Sequence, residues 1–217
     1  WKELDILRAL NKSNCNRYYT RMSYVIVQDL PIFIMNLWDG DLRDVIGCVN
    51  ISTAMSCILQ LLKGFACIYE NTKQKLLYTD LKCDNFLYRL VSDNSKSVIN
   101  VVIADIGGFA PEYKPFTEES VATYPPPLLS RYSMANPDNN RIVTGNVRAL
   151  WPSVYWGLGV VFLQLMGYSK EINSKFYWSR SQKISARYLG RLYKKFVKKN
   201  KKLKYILQAL LLLKLYY

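Results

Sequence analysis

Leu76-Leu77-Tyr78-Thr79-Asp80-Leu81-Lys82-Cys83-Asp84-Asn85-Phe86-Leu87 is the stretch on which the fold assignment turns. Two apolar residues lead into a polar turn carrying Asp80, Lys82 and Asn85, and a new apolar run starts at once. Twenty residues after Asn85, a second apolar run (Val101 to Ala104) ends in Asp105-Ile106-Gly107-Gly108. An acid directly after a buried strand, with glycine two residues on, sets a carboxylate at a strand end where the backbone turns freely. Transfer of a phosphoryl group from ATP needs such a set. It requires a carboxylate near the acceptor hydroxyl, oxygen ligands for Mg²⁺, a cation for the moving phosphoryl, and a dry pocket for the base. Asp80 suits the first role, Asn85 and Asp105 the second, and Lys82 the third. Taken alone, an Asp-x-Lys turn followed by Asn is as often a loop capped by its own side chains.

Composition narrows the alternatives. The 217 residues are 50% hydrophobic, enough to bury a core, and 30 Lys and Arg against 16 Asp and Glu leave a net charge of +14. The chain holds no histidine, which excludes Ser-His-Asp hydrolysis, Cys-His proteolysis and His-ligated metal chemistry. Cysteines 15, 48, 57, 67 and 83 are odd in number, form no C-x-x-C pair and sit mostly in apolar sequence. They read as reduced, intracellular core thiols, with a cytoplasmic setting. No transmembrane segment is expected, since the apolar stretch Tyr205 to Tyr217 is broken by Gln208 and Lys214 and is shorter than a bilayer needs.

Outward from the central stretch, Leu4, Ile6, Leu7 and Leu10 fall near helical spacing. Two strand-like runs follow, Tyr18 to Gln28 and Pro31 to Leu37, split at Asp29-Leu30-Pro31. Asp39-Gly40-Asp41 reads as a turn, and Leu42 to Val49 opens helical sequence. A long helix is expected over Ile51 to Glu70, with Met55, Ile58, Leu62, Phe65, Ala66 and Tyr69 inward. Strands are expected at Phe86 to Leu90 and Ser97 to Ala104, with Val91 to Lys96 as their loop. Trp151 to Met166 is apolar nearly all round, as a helix through a core would be. Tyr168 to Tyr217 reads as helical and lysine-rich.

With these pieces in order, the sequence resembles a divergent eukaryotic-type Ser/Thr protein kinase. Tyr78-Thr79-Asp80 stands where that family has His-Arg-Asp, Lys82 is in the Ser/Thr form, and Asp105-Ile106-Gly107 stands for Asp-Phe-Gly. Lys2-Glu3-x-x-Ile6-Leu7 resembles the helix whose glutamate pairs with the ATP-binding lysine. Phe33 to Leu37 resembles the last N-lobe strand and hinge, with Met35 as gatekeeper, core in any case, and Leu37 offering backbone groups to adenine. Tyr124-Pro125-Pro126-Pro127 resembles the end of the activation segment, and Trp156-Gly157-Leu158-Gly159-Val160 the buried helix of the C-lobe. Small-molecule phosphotransferases share an Asp-x-x-x-x-Asn loop; Lys82 and Trp156-x-x-Gly159 favour the protein-kinase branch. The divergent loop, the composition and Thr123 to Pro127 resemble kinases of large DNA viruses, which would make virion association a further expectation.

The resemblance implies an α+β, protein kinase-like fold. Residues 1–38 would form a partial N-lobe (one helix, two strands, hinge), and residues 39–217 a mainly helical C-lobe with catalytic and activation loops. It implies Mg-ATP-dependent phosphorylation of Ser or Thr in protein substrates. Asp80 and Lys82 would be catalytic, Asn85 and Asp105 would hold Mg²⁺, and Glu3, Met35, Leu37, Leu87 and Gly107 would line the ATP site. The family's Gly-rich loop and strand lysine are expected upstream of Trp1. Departures are equally specific: His and Arg of the catalytic loop are Tyr78 and Thr79, the buried anchoring aspartate is Val154, and the glutamate of Ala-Pro-Glu is Leu128. An aromatic at 78 can fill by packing the space that a histidine loses with its carboxylate partner. Without the arginine, a phosphorylated activation loop has lost its usual reader. A catalytically inert scaffold or virion component therefore stays open as an alternative. So does a basic module that meets nucleic acid or anionic surfaces through Lys194 to Lys204, although a solvated helix face is the default for such a run. The net charge would steer the chain toward acidic substrates.

Overall fold

The computed structural model describes residues 2–93, 96–112, 151–168 and 194. In chain order the elements are α1 (Lys2–Asn11), β1 (Met22–Val27), β2 (Leu30–Met35), β3 (Gly40–Asp41), α2 (Ile51–Asn71), β4 (Leu76–Tyr78), β5 (Phe86–Asp93), β6 (Lys96–Ile103), β7 (Phe109–Pro111) and α3 (Trp151–Leu163). Short 3₁₀ turns lie at Cys83–Asn85 and Ile106–Gly108. The strands pair antiparallel in three small sheets, β1-β2, β3-β5-β6 and β4-β7. The expectations for Tyr124 to Pro127, Leu128 and the basic run beyond Lys194 lie outside the described residues.

Two hairpins differ from the expectation in their turns. Val27 pairs with Leu30, so the β1-β2 turn is Gln28-Asp29, both at positive φ (49° and 62°). That is the type I′ geometry which matches strand twist. Leu30 and Pro31 belong to β2, where an edge strand tolerates a proline without its N–H. The β5-β6 ladder continues out to Asp93↔Lys96, so most of the expected loop is strand. Residues 42–49 form turns rather than the start of a helix.

Helix α2 starts where expected because Asn50 caps it, its side chain accepting from the Thr53 N–H at 2.9 Å. Its buried stripe is Ala54, Cys57, Ile58, Leu61, Gly64, Phe65 and Ile68. That face is turned from the expected one: Ile58 and Phe65 are shared, but Met55, Leu62, Ala66 and Tyr69 are only half-buried. An α2 apolar on most sides leaves the choice of face to its neighbours, β4, β6 and α3. At 21 residues it is long and apolar enough to cross a membrane, but this stripe lies in the core. Helix α3 is apolar all round, and Val154, Trp156, Leu158, Val160, Val161, Phe162 and Leu163 are all buried, as its sequence required. Gly167, at φ 85°, follows it in the left-handed conformation.

The cysteines overturn one expectation. Cys15 and Cys67, 52 positions apart in sequence, form a disulfide with Cα atoms 5.9 Å apart. It ties the chain beyond α1 to the last turns of α2. Gly64 lets that chain approach closely, since a Cβ there would lie 3.0 Å from Tyr18 Cβ. Cys48, Cys57 and Cys83 are free, the first exposed and the others buried. An odd count and missing C-x-x-C spacing carry no information about a bond that only tertiary folding brings together.

Candidate functional site

Strand β4 is fully buried and delivers Thr79 and Asp80 to its end. Chain continuity then places Leu81 and Lys82 before the Cys83–Asn85 turn, whose residue Asn85 is buried. Lys82 Nζ lies 2.9 Å from Asp80 Oδ2. Asn85 Nδ2 donates to the Asp80 carbonyl at 2.8 Å and to its Oδ2 at 2.9 Å. Two residues of one turn thus converge on the Asp80 carboxylate. Burial pulls the Lys82 ammonium down, but the hydrogen bond to Asp80 and the charges of Asp80, Asp105 and Asp84 outweigh it, leaving its pKa raised.

Asp105 reaches the same place from β6. The Ala104 N–H donates to the Asn85 carbonyl at 2.9 Å, which sets the start of the Asp105 loop beside the Asn85 turn. The Asp105 carboxylate accepts from the Gly107 N–H at 2.9 Å, and its charge bears on Lys82. Helix α1 lies against the Ile106–Gly108 turn. A Cβ on Gly107 would fall 3.1 Å from Asp105 Oδ1 and 3.2 Å from Glu3 Oε1, so a glycine there lets two carboxylates approach one point. Glu3 is exposed and makes no ion pair among the described residues.

The expected adenine-side residues are less closely gathered. Leu87 is half-buried on β5, opposite Val102 and Asp41. Met35 ends β2 at 52% exposure and Leu37 is 89% exposed, which corrects the expectation that Met35 is core. Met35 pairs with Met22 at the end of the two-stranded β1-β2 sheet, and Met22, Tyr24 and Phe33 pack against the core while Met35 does not. The segment after β2 is tied down on its far side. The Arg89 guanidinium sits 4.8 Å over the Trp38 ring and donates to the Leu37 carbonyl, and Asp39 accepts from the Leu90 N–H.

The floor of the site is aromatic and apolar. The fully buried Tyr78 ring stacks on Phe65 at 5.4 Å, meets Phe109 edge-on at 4.9 Å and lies 5.9 Å from Phe86. Its hydroxyl has no hydrogen-bond partner among the described residues, and neighbouring Asn85 already donates to Asp80. Burial, reinforced by Asp105 and Asp80, pushes its pKa well up, so it stays a neutral filler. Val154 is buried in α3. The α3 backbone approaches the Asp80 loop closely: a Cβ on Gly157 would lie 2.7 Å from Leu81 Cβ. The Cys83 thiol also donates to Gln164 Oε1 at 3.4 Å. Its pKa is raised, first by burial and then by Asp84 and Asp41.

Beyond the residues the sequence singles out for chemistry, Thr79, Gly108, Gly157 and Gln164 hold the site together. The visible signals were a second glycine after Asp105-Ile106 and a glycine pair inside an otherwise bulky helix.

No family model and no curated protein matches the chain. Among solved structures it is similar to the kinase PK-1 of Cydia pomonella granulovirus, at TM-score 0.53 and 17% identity, over 76% of this chain and 53% of that one. The fold is thus α+β and protein kinase-like. The chain spans about half the length of the solved kinase.

Proposed function

We propose that Asp80, Lys82, Asn85 and Asp105 form the working site of a Mg²⁺-dependent protein kinase. It would transfer the γ-phosphoryl of ATP to Ser or Thr, with residues 1–38 as a partial N-lobe and 39–217 as the C-lobe. The observation that carries this reading is the convergence of Lys82 and Asn85 on Asp80 with the Asp105 charge close by. Asp80 orients the acceptor hydroxyl and takes its proton, and Lys82 offers its cation to the transferred group. Asn85 turns its amide N–H₂ toward Asp80, which leaves an oxygen donor that, with Asp105, suits a hard cation. Mg²⁺ held there would neutralise phosphate charge. Among the described residues no three Asp, Glu or Cys side chains gather into a metal cage.

The test is a thermal-shift titration of the purified chain with Mg-ATP, joined to a phosphotransfer assay. Asp80→Asn should lower transfer by roughly 10²–10⁴-fold while keeping the nucleotide shift, and Asp105→Asn should lose the shift. A wild-type chain that Mg-ATP does not stabilise refutes the reading. Tyr78, Thr79 and Val154, which stand where the resemblance would place His, Arg and the anchoring Asp, favour an inert scaffold as the second reading, which predicts that null titration.

A further inference from the structure

Thr79 and Gly108 join the two loops that carry the proposed site. The Thr79 N–H and the Thr79 hydroxyl both donate to the Gly108 carbonyl, each at 2.9 Å, and Thr79 is buried. One carbonyl therefore has both lone pairs engaged by one residue of the opposite loop. Behind it, a Cβ on Gly108 would lie 2.6 Å from Tyr78 Cε2 and 2.7 Å from Cζ. The Tyr78 ring cannot swing aside, because Phe65, Phe86 and Phe109 hold it on three sides. The β4-β7 ladder ends in the pair Tyr78↔Phe109, so the restraint continues a strand pairing rather than standing alone. From Gly108 it passes through Gly107, whose N–H holds the Asp105 carboxylate, to the residue that would face the metal.

We propose that Thr79 and Gly108, backed by the Tyr78 ring, are positioning residues forming a neutral latch that fixes the Asp105 loop against the Asp80 loop without a phosphorylated segment. The latch takes its significance from the phosphotransfer reading above. Its parts carry no charge, so it needs no arginine and no phosphate to close. It makes Tyr78 and Gly108 a size-matched pair: the larger ring at 78 requires the missing side chain at 108.

Two measurements on the full chain test it. Hydrogen exchange without nucleotide is read at the Thr79 amide and across residues 106–110, for wild type, Thr79→Val and Thr79→Ser. Thr79→Val keeps the shape and the backbone donor but loses the hydroxyl, and should exchange at least ten-fold faster there, with Thr79→Ser restoring wild-type protection. Gly108→Ala should do the same, with Tyr78→Leu in the same chain relieving it. Equal exchange in wild type and Thr79→Val overturns the latch, whichever Gly108 variants fold. The second measurement is the Mg-ADP thermal shift before and after phosphatase treatment. The shift should be unchanged by phosphatase and reduced in Thr79→Val but not in Thr79→Ser, whereas a shift lost on dephosphorylation overturns the proposal. If wild type gives no Mg-ADP shift, the phosphotransfer reading fails and exchange alone decides the latch.

Discussion

Breaking the Cys15–Cys67 disulfide should lower stability by an amount the loop length sets. The bond closes a loop across 52 residues of sequence. In the chain-entropy treatment, a loop of that size withdraws about 14 cal/mol/K from the unfolded ensemble, or about 4 kcal/mol at 25 °C. For a domain of this size each kcal/mol moves the midpoint by roughly 2–4 °C, so reduction should lower Tm by roughly 8–16 °C. The bond joins the chain beyond α1 to α2, so loosening it also frees the elements that bring Glu3 to Gly107. Differential scanning fluorimetry with and without a phosphine reductant reads the shift, and Cys15→Ala/Cys67→Ala should melt at the reduced midpoint and ignore the reductant. Thiol titration checks the premise independently. One thiol, that of the exposed Cys48, should react quickly in the native unreduced chain, because burial raises the pKa of Cys57 to about 11 and shuts in Cys83. Three should react after denaturation and five after reduction. Five thiols without reduction, or a midpoint indifferent to reductant, would refute the reasoning.

Gly157→Ala should lower Tm although alanine is the better helix former, because overpacking against Leu81 costs about 1–3 kcal/mol. Gly157→Ala should cost less in a Leu81→Ala background than in wild type, since Leu81 Cγ and Cδ1, at 3.0 and 2.9 Å, are then gone although the Cβ stays, and a rise in Tm for Gly157→Ala alone would sink the close-approach argument. Asn50→Ala removes the cap of α2 and should cost about 1 kcal/mol in a denaturant melt, with the slope unchanged. Lys82 has its folded pKa raised above the ordinary 10.5, so its ion-pair contribution is complete below pH 10.5 and is lost as pH rises through the folded value. The stability gap between wild type and Lys82→Met should therefore be level from pH 7 to about 10 and close only above that. A gap that closes near neutrality would contradict the sign.

The legible parts of this protein were those where local order alone carries meaning. Asp80, Lys82 and Asn85 lie within one turn, so their convergence follows from a short loop and was expected before any fold was known. Helix α3 was legible because a stretch apolar on every side has nowhere to go but the core. The strands of β5 and β6 were legible as apolar runs, but not their extent, since cross-strand pairing carries the ladder through residues that read as loop.

What the chain order could not disclose was every relation that depends on which distant surfaces meet. The face of α2, the bond between Cys15 and Cys67, the approach of Leu81 to Gly157 and the grip of Thr79 on Gly108 each join segments remote in sequence. None leaves a periodic trace. Residue types and their spacing determined which side chains stand together at the Asp80 turn, because short-range geometry is set by the backbone. Tertiary packing alone decided how that chemistry is held, because a glycine, a threonine or a buried thiol acquires its role only from the neighbour it meets.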